Sequence, residues 1–238
     1  MFNDNGKMFV HTLDDENVKN TFVWNNGSAR TNYKIVDKRA MMTEINDKGE
    51  NVSLENQTEL VSLVGELSKS ASVVVMSGSL PGGVDDDYYL KLSSAVPENV
   101  KIILDTSGNK MIAGLRGGAY LVKPNLDELQ EMTGEHYDSF DEMITGCERL
   151  IEAGAENVML SLGRKGAILT DGDKAYFCKS ATVAVNSTVG AGDGMVAAAA
   201  SMIEQNAPYE DVLRCAVAAG TASVMTPGTN LFYKENFI

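Results

Sequence analysis

From residue 72 onward, short and almost wholly apolar runs alternate with amphipathic stretches. The apolar runs fall at residues 73–76, 102–104, 120–122 and 158–160, and helical patterns occupy 88–96, 138–153 and 210–225. Strands with no polar face to offer water belong in a parallel sheet covered on both sides by helices. The predicted fold class is therefore α/β, a three-layer, doubly wound and mostly parallel sheet whose ligands bind in loops beyond the strands' C-terminal ends. Residues 27–37 obey a different rule, alternating polar and apolar positions with a period of two. Arg30, Asn32 and Lys34 share one face there, with Thr31, Tyr33 and Ile35 on the other. This is the pattern of a small β lid. Residues 38–54 are polar, with a turn signal at Asp47-Lys48-Gly49.

A chain of 238 residues can bury a sizeable core, so one large domain with a small appendage is expected. The division predicted is 1–60, carrying the lid strands, and 61–238, the α/β core. A net charge of −13 argues against general nucleic-acid or anionic-membrane partners, which demand a basic surface. No apolar run approaches transmembrane length and the first residues lack a signal peptide's apolar stretch, so a cytoplasmic protein is expected. Cys147, Cys178 and Cys215 lie far apart without metal-ligand spacing and read as buried free thiols. His11 and His136 belong to no motif and read as surface or loop residues.

Candidate chemistry concentrates in the loops that follow strands. Asn186-Ser187-Thr188-Val189-Gly190-Ala191-Gly192-Asp193-Gly194 runs directly into an alanine-rich helix. A glycine-punctuated turn at a helix start gathers unpaired N–H groups at the positive end of the macrodipole, which suits an anion. Asp193 is poorly placed to hold phosphate but well placed to take a proton from a hydroxyl attacking it. The competing reading makes Asp193 a helix cap and the small residues a means of close packing. Ser77-Gly78-Ser79-Leu80-Pro81-Gly82-Gly83 is either a flexible ligand loop or a plain turn. In Lys123-Pro124-Asn125-Leu126-Asp127-Glu128, the spacing of Asn125 and Glu128 favours a capping box over a magnesium site. Ser161-Leu162-Gly163-Arg164-Lys165-Gly166 can be a hairpin or a loop hugging a nucleotide.

Taken together, these four segments, with Pro227-Gly228-Thr229-Asn230 near the end, resemble the ribokinase-like carbohydrate kinases, most closely the phosphofructokinase B branch. The resemblance implies an ATP-dependent kinase acting on a primary hydroxyl of a ketohexose phosphate. Fructose 1-phosphate would become fructose 1,6-bisphosphate, with tagatose 6-phosphate as the alternative acceptor. It casts Asp193 as general base and the amides of Gly190, Ala191 and Gly192 as the cradle of the γ-phosphoryl group. Arg30, Ser77, Gly78 and Ser79 would face the sugar phosphate. Lys123, Asn125, Ser161, Leu162, Gly163, Gly166, Val217 and Thr221 would line ATP, and Glu128 would hold Mg2+ through water. Ser187, Val189, Ser223, Thr226, Gly228 and Asn230 match a monovalent-cation site, implying K+. Whether a homodimer forms through the lid strands is left open by the sequence.

Two family features are missing from the sequence: an opening Asn-Pro-type strand and a Gly-Gly-Lys-Gly stretch. The resemblance begins near Asn17, so the N-terminal strands of the fold are expected to be absent. The alternative to an active kinase is then a truncated, catalytically impaired remnant that binds nucleotide.

Overall fold

A computed structural model describes residues 1–36, 42–228 and 230–237. Asp37, residues 38–41, Thr229 and Ile238, parts of segments discussed above, lie outside the described residues. The chain divides into two compact units, Met1–Glu66 with Leu80–Asp85 and Leu67–Ser79 with Asp86–Ile238.

The first unit contains helix α1 (Lys7–Asp15), strands β1 (Tyr33–Val36) and β2 (Met42–Ile45), and most of helix α2 (Leu54–Ser68). β1 and β2 pair antiparallel with Tyr33 opposite Ile45 and Ile35 opposite Thr43. The strand is shorter than the alternating pattern predicted, since Arg30 precedes it in non-repetitive backbone. Its apolar face meets water: Tyr33, Ile35 and Ile45 are each more than half exposed. At the predicted turn, the Gly49 amide donates to Asp47 Oδ1 at 3.1 Å and Gly49 takes φ +71°.

The second unit is built on a six-stranded sheet in the order β3 (Val73–Ser77), β4 (Lys101–Asp105), β5 (Ala119–Val122), β6 (Ala155–Ser161), β7 (Ala167–Thr170), β8 (Ala175–Cys178). β3 to β6 are parallel, and β7 and β8 turn back antiparallel. Between the parallel strands run α3 (Tyr88–Ser93), α4 (Asn109–Leu115), α5 (Leu126–Thr133) and α6 (Phe140–Glu152). Right-handed crossovers that step steadily in one direction put their helices on one face of a sheet. The other face is covered by α7 (Ala191–Glu204) and α8 (Tyr209–Val224), which follow the last strand and pack on Ile103, Leu121, Met159 and Leu169.

Small residues make the α7–α8 contact close. A Cβ on Gly194 would lie 2.6 Å from Ser223 Oγ, and one on Gly220 would lie 2.8 Å from Met195 Cγ. The alanine- and glycine-rich composition of the helix after the Gly190 turn thus serves packing. Among the cysteines Cys147 is buried, as expected, whereas Cys178 and Cys215 are half-buried; all three are free. His11 and His136 are both exposed.

α6 starts with a capping box. Ser139 accepts from the Glu142 amide at 3.3 Å, while Glu142 Oε2 accepts from the Asp138 and Ser139 amides at 2.9 Å each. Those backbone donors hold the Glu142 carboxyl below its ordinary value of 4.5. A carboxylate stabilised in the folded state contributes above its unfolded value, and the contribution fades as pH falls through the lowered folded one. Glu142→Gln is accordingly expected to flatten the part of the stability curve just below pH 4.5, measured by urea midpoints across that range. Identical pH dependence in both proteins would contradict the cap.

Candidate active site

The parallel strands deliver their C-terminal ends to one rim of the second unit. Ser77 ends β3, Asp105 ends β4, Lys123 follows β5 and Ser161 ends β6. The Lys123 and Ser161 loops are joined there, since the Ser161 amide donates to Pro124 O at 2.9 Å. Asn125 and Glu128 form the predicted capping box at the start of α5: each side chain accepts from the other's amide at 2.8 Å.

Lys123 is 6% exposed, and its ammonium lies 3.2 Å from Asp105 Oδ1. It lies directly against the start of α7, because a Cβ on Gly192 would be 3.2 Å from Lys123 Nζ. The absence of a side chain at Gly192 is what lets the cation reach the turn. Burial pushes the Asp105 carboxyl above the ordinary aspartate range, Lys123 pulls it back, and Asp193 pushes it up again. Asp105, Lys123 and Asp193 are therefore one electrostatic group. Asp105 escaped the sequence reading, although it had a usable signal: a carboxylate at the end of an apolar strand, level with Ser77, Lys123 and Ser161.

Gly190 enters α7 with φ +81°, where no Cβ could sit comfortably, and it caps the helix without any side-chain hydrogen bond. Asp193 stands in the first turn, exposed, and its carboxylate makes no hydrogen bond among the described residues. The capping interpretation of Asp193 therefore fails. The Ala191 amide donates to Thr188 O at 3.5 Å, while the Gly192 and Asp193 amides make no such hydrogen bond among the described residues, so the turn presents donors and a carboxylate side by side.

Beside the turn opens a cavity of about 870 Å³, bounded by the Ser161–Gly166 loop, Thr188, Ala191, Gly192, Val217 and Thr221. Of the residues assigned to ATP, Ser161, Gly163, Gly166, Val217 and Thr221 stand on its wall, and Leu162, Lys123 and Asn125 do not. The wall also includes Arg164 of the same loop and Gly220 of α8, together with Val183 and Val185, which no motif had marked. Residues 163–165 form a 3-10 turn joining antiparallel β6 and β7, so the loop is both a hairpin and a cavity wall.

The residues of the candidate cation site are only partly gathered. Asn186 and Ser187 amides donate to Val224 O, and Asn186 Nδ2 donates to Met225 O at 2.6 Å, which ties residues 186–187 to the end of α8. Ser223, in α8, and Thr226, just past its end, are buried and donate to the helix carbonyls Ala219 O and Ala222 O. Val189 donates its amide to Ser187 Oγ, while Asn230 is exposed. Among the described residues, no three His, Cys, Asp or Glu side chains gather into a metal-binding cluster. In the other unit Arg30 is exposed.

Residues 3–236 match the family described as pfkB family carbohydrate kinase. The chain belongs to the pfkB family of carbohydrate kinases. It is 33% identical to the 1-phosphofructokinase of Borreliella burgdorferi over 92% of this chain and 71% of that one. The 1-phosphofructokinase of Bacillus subtilis is 31% identical over 97% and 76% of the two chains. Among solved structures, phosphofructokinase-2 from Escherichia coli in complex with potassium superposes with a TM-score of 0.90 at 30% identity, over 99% of this chain and 77% of that one. The family is one of phosphotransferases, and the α/β fold is that of the ribokinase-like kinases. No helix among the described residues is long and apolar enough to cross a membrane.

Proposed function

We propose that this chain transfers the γ-phosphoryl group of ATP to a primary hydroxyl of a ketohexose phosphate, converting fructose 1-phosphate to fructose 1,6-bisphosphate. The observation that carries the reading is the pairing of an unengaged Asp193 carboxylate with a left-handed glycine turn that holds the Lys123 cation beneath it. Asp193 takes the hydroxyl proton as the oxygen attacks the γ-phosphorus and the bond to the ADP oxygen breaks. The amides of Gly190, Ala191 and Gly192, with Lys123, stabilise the charge that spreads over the transferring oxygens. The cavity beside them takes the nucleoside, with Ser161, Gly163, Gly166, Val217 and Thr221 on its wall.

Mg2+ needs few protein ligands because it keeps water and takes phosphate oxygens. Glu128 fits that demand: one carboxylate oxygen is engaged by the Asn125 amide, leaving the other for a metal-bound water. When bound, the ion neutralises charge between the phosphates. Ser77, Gly78, Ser79 and Arg30 are assigned to the sugar phosphate, Arg30 for its forked donors. The K+ assignment to residues 187–230 is supported by the likeness to a kinase solved with potassium. The lid role of β1 and β2 and a homodimer through them are supported by their exposed apolar side chains. The division into 1–60 and 61–238 belongs to the same reading.

Relatives called 1-phosphofructokinase, and a D-tagatose-1-phosphate kinase of Bacillus licheniformis at 32% identity, favour a ketose 1-phosphate over tagatose 6-phosphate. The test is ADP release from MgATP with fructose 1-phosphate, tagatose 1-phosphate, tagatose 6-phosphate and fructose 6-phosphate. Fructose 1-phosphate is expected to give the highest kcat/KM. A chain that binds ATP but releases no ADP with any of them would overturn the proposal in favour of the impaired remnant.

A further inference from the structure

Ser77-Gly78-Ser79 is exposed, yet the backbone at its centre is fully engaged from behind. The Gly78 amide donates to Asp105 O at 3.0 Å. Its carbonyl accepts twice, from Tyr89 Oη at 2.8 Å and from Thr106 Oγ1 at 2.9 Å, which fills both lone pairs. Tyr89 and Thr106 are buried, on α3 and just after β4 respectively. Gly78 takes φ +102°, and a Cβ built on it would meet nothing within 4 Å, so the space beside it is open.

A trans peptide is planar, with its C=O and N–H pointing in opposite directions. Because Tyr89 and Thr106 hold the Gly78 carbonyl inward, the N–H of the same peptide unit, that of Ser79, must point outward. That amide makes no hydrogen bond among the described residues. Reversing the peptide would forfeit both hydrogen bonds to the carbonyl and strand two buried hydroxyls, so the outward orientation is fixed before any ligand arrives. The Tyr89 hydroxyl is a dependable donor, because burial first and Asp105 second push it up to about 12.

We infer that Tyr89 and Thr106 are positioning residues that clamp the Gly78 carbonyl so that the Ser79 amide is presented as a preformed donor to the phosphomonoester of the acceptor sugar. The inference rests on the proposed placement of Ser77, Gly78 and Ser79 at the sugar phosphate. A phosphate oxygen that meets an amide already aimed at it loses nothing to loop reorganisation, so the clamp acts on acceptor affinity rather than on ATP. Neither residue touches the acceptor itself.

The test uses Tyr89→Phe, Thr106→Val and the double variant, with Thr106→Ser as the conservative control. Steady-state kinetics are measured with fructose 1-phosphate and ATP, and the Ser79 amide is followed by NMR in protein labelled with 15N-serine. In the wild type, fructose 1-phosphate is expected to shift the Ser79 amide. In the double variant the KM for fructose 1-phosphate should rise about tenfold while the KM for ATP stays within about twofold, the signature of lost acceptor binding alone. Thr106→Ser should behave as wild type. An unchanged acceptor KM in the double variant, or parallel rises in both KM values tracking a fall in Tm, would overturn the clamp. If the single variants alone fold, the same split in Tyr89→Phe decides the matter. A wild type that turns over fructose 1-phosphate without moving the Ser79 amide overturns the placement of the loop instead, and one that neither binds nor phosphorylates it overturns the acceptor assignment.

Discussion

Asp193→Asn is expected to lower kcat by on the order of 10³-fold while leaving the dissociation constant for ATP within about twofold, since general-base catalysis contributes on that scale and the base is not a nucleotide ligand. The substitution is close to isosteric and sits on an exposed side chain without a hydrogen-bond partner among the described residues. No folding penalty should therefore confuse the result. Single-turnover phosphate transfer and fluorescence titration of ATP separate the two quantities. Retention of the wild-type rate would remove Asp193 from the mechanism and return the first turn of α7 to a purely packing role.

Lys123→Met is expected to be the most destabilising single change in the site. It leaves the mostly buried Asp105 carboxylate without its cation, and breaking a buried pair from one side costs about 3 kcal/mol or more. The sign of its pH dependence follows from Asp105. Burial already raises that carboxyl, and removing Lys123 takes away the largest influence lowering it. A raised carboxyl favours folding below its unfolded value and loses that contribution as pH rises through the folded one. The gap between variant and wild type should thus narrow as pH falls toward the ordinary aspartate value of 3.8 and widen toward neutrality. Denaturant midpoints at several pH values measure this, and a gap independent of pH would place the cost in lost packing. Asp105→Asn in the same background should recover part of the loss, because the stranded charge is then gone.

Where the sequence was readable, one kind of force dominated. The runs at residues 73–76, 102–104, 120–122 and 158–160 lie within β3, β4, β5 and β6. The interior strands β4, β5 and β6 bury these runs almost completely and so leave little room for polar residues, whereas β3, at the sheet edge, leaves Val75 exposed. The Asn125–Glu128 spacing gave a capping box because that contact is local, three residues apart. β8 was missed: its side chains alternate between exposed and half-buried, a pattern with no strong apolar run. Helix α1 has no fully buried residue and α2 has only Ser68. α2 nevertheless carried a signal, because Leu60, Val61, Val64 and Leu67 recur at helical spacing and the first three are half-buried. The pairing of Asp105 with Lys123 and the clamp on Gly78 were illegible for another reason. They depend on tertiary neighbours, with Asp105 meeting Lys123 and Gly78 meeting Thr106 across adjoining parallel strands, and no spacing in the chain encodes those distances.

The glycine contacts between α7 and α8 have a mechanical outcome. With Gly194 against Ser223 and Gly220 against Met195, there is less than a methyl group of slack between the two rods. A larger side chain at either glycine would have to displace Ser223 or Met195, and with them the start of α7 that carries Gly190 to Asp193.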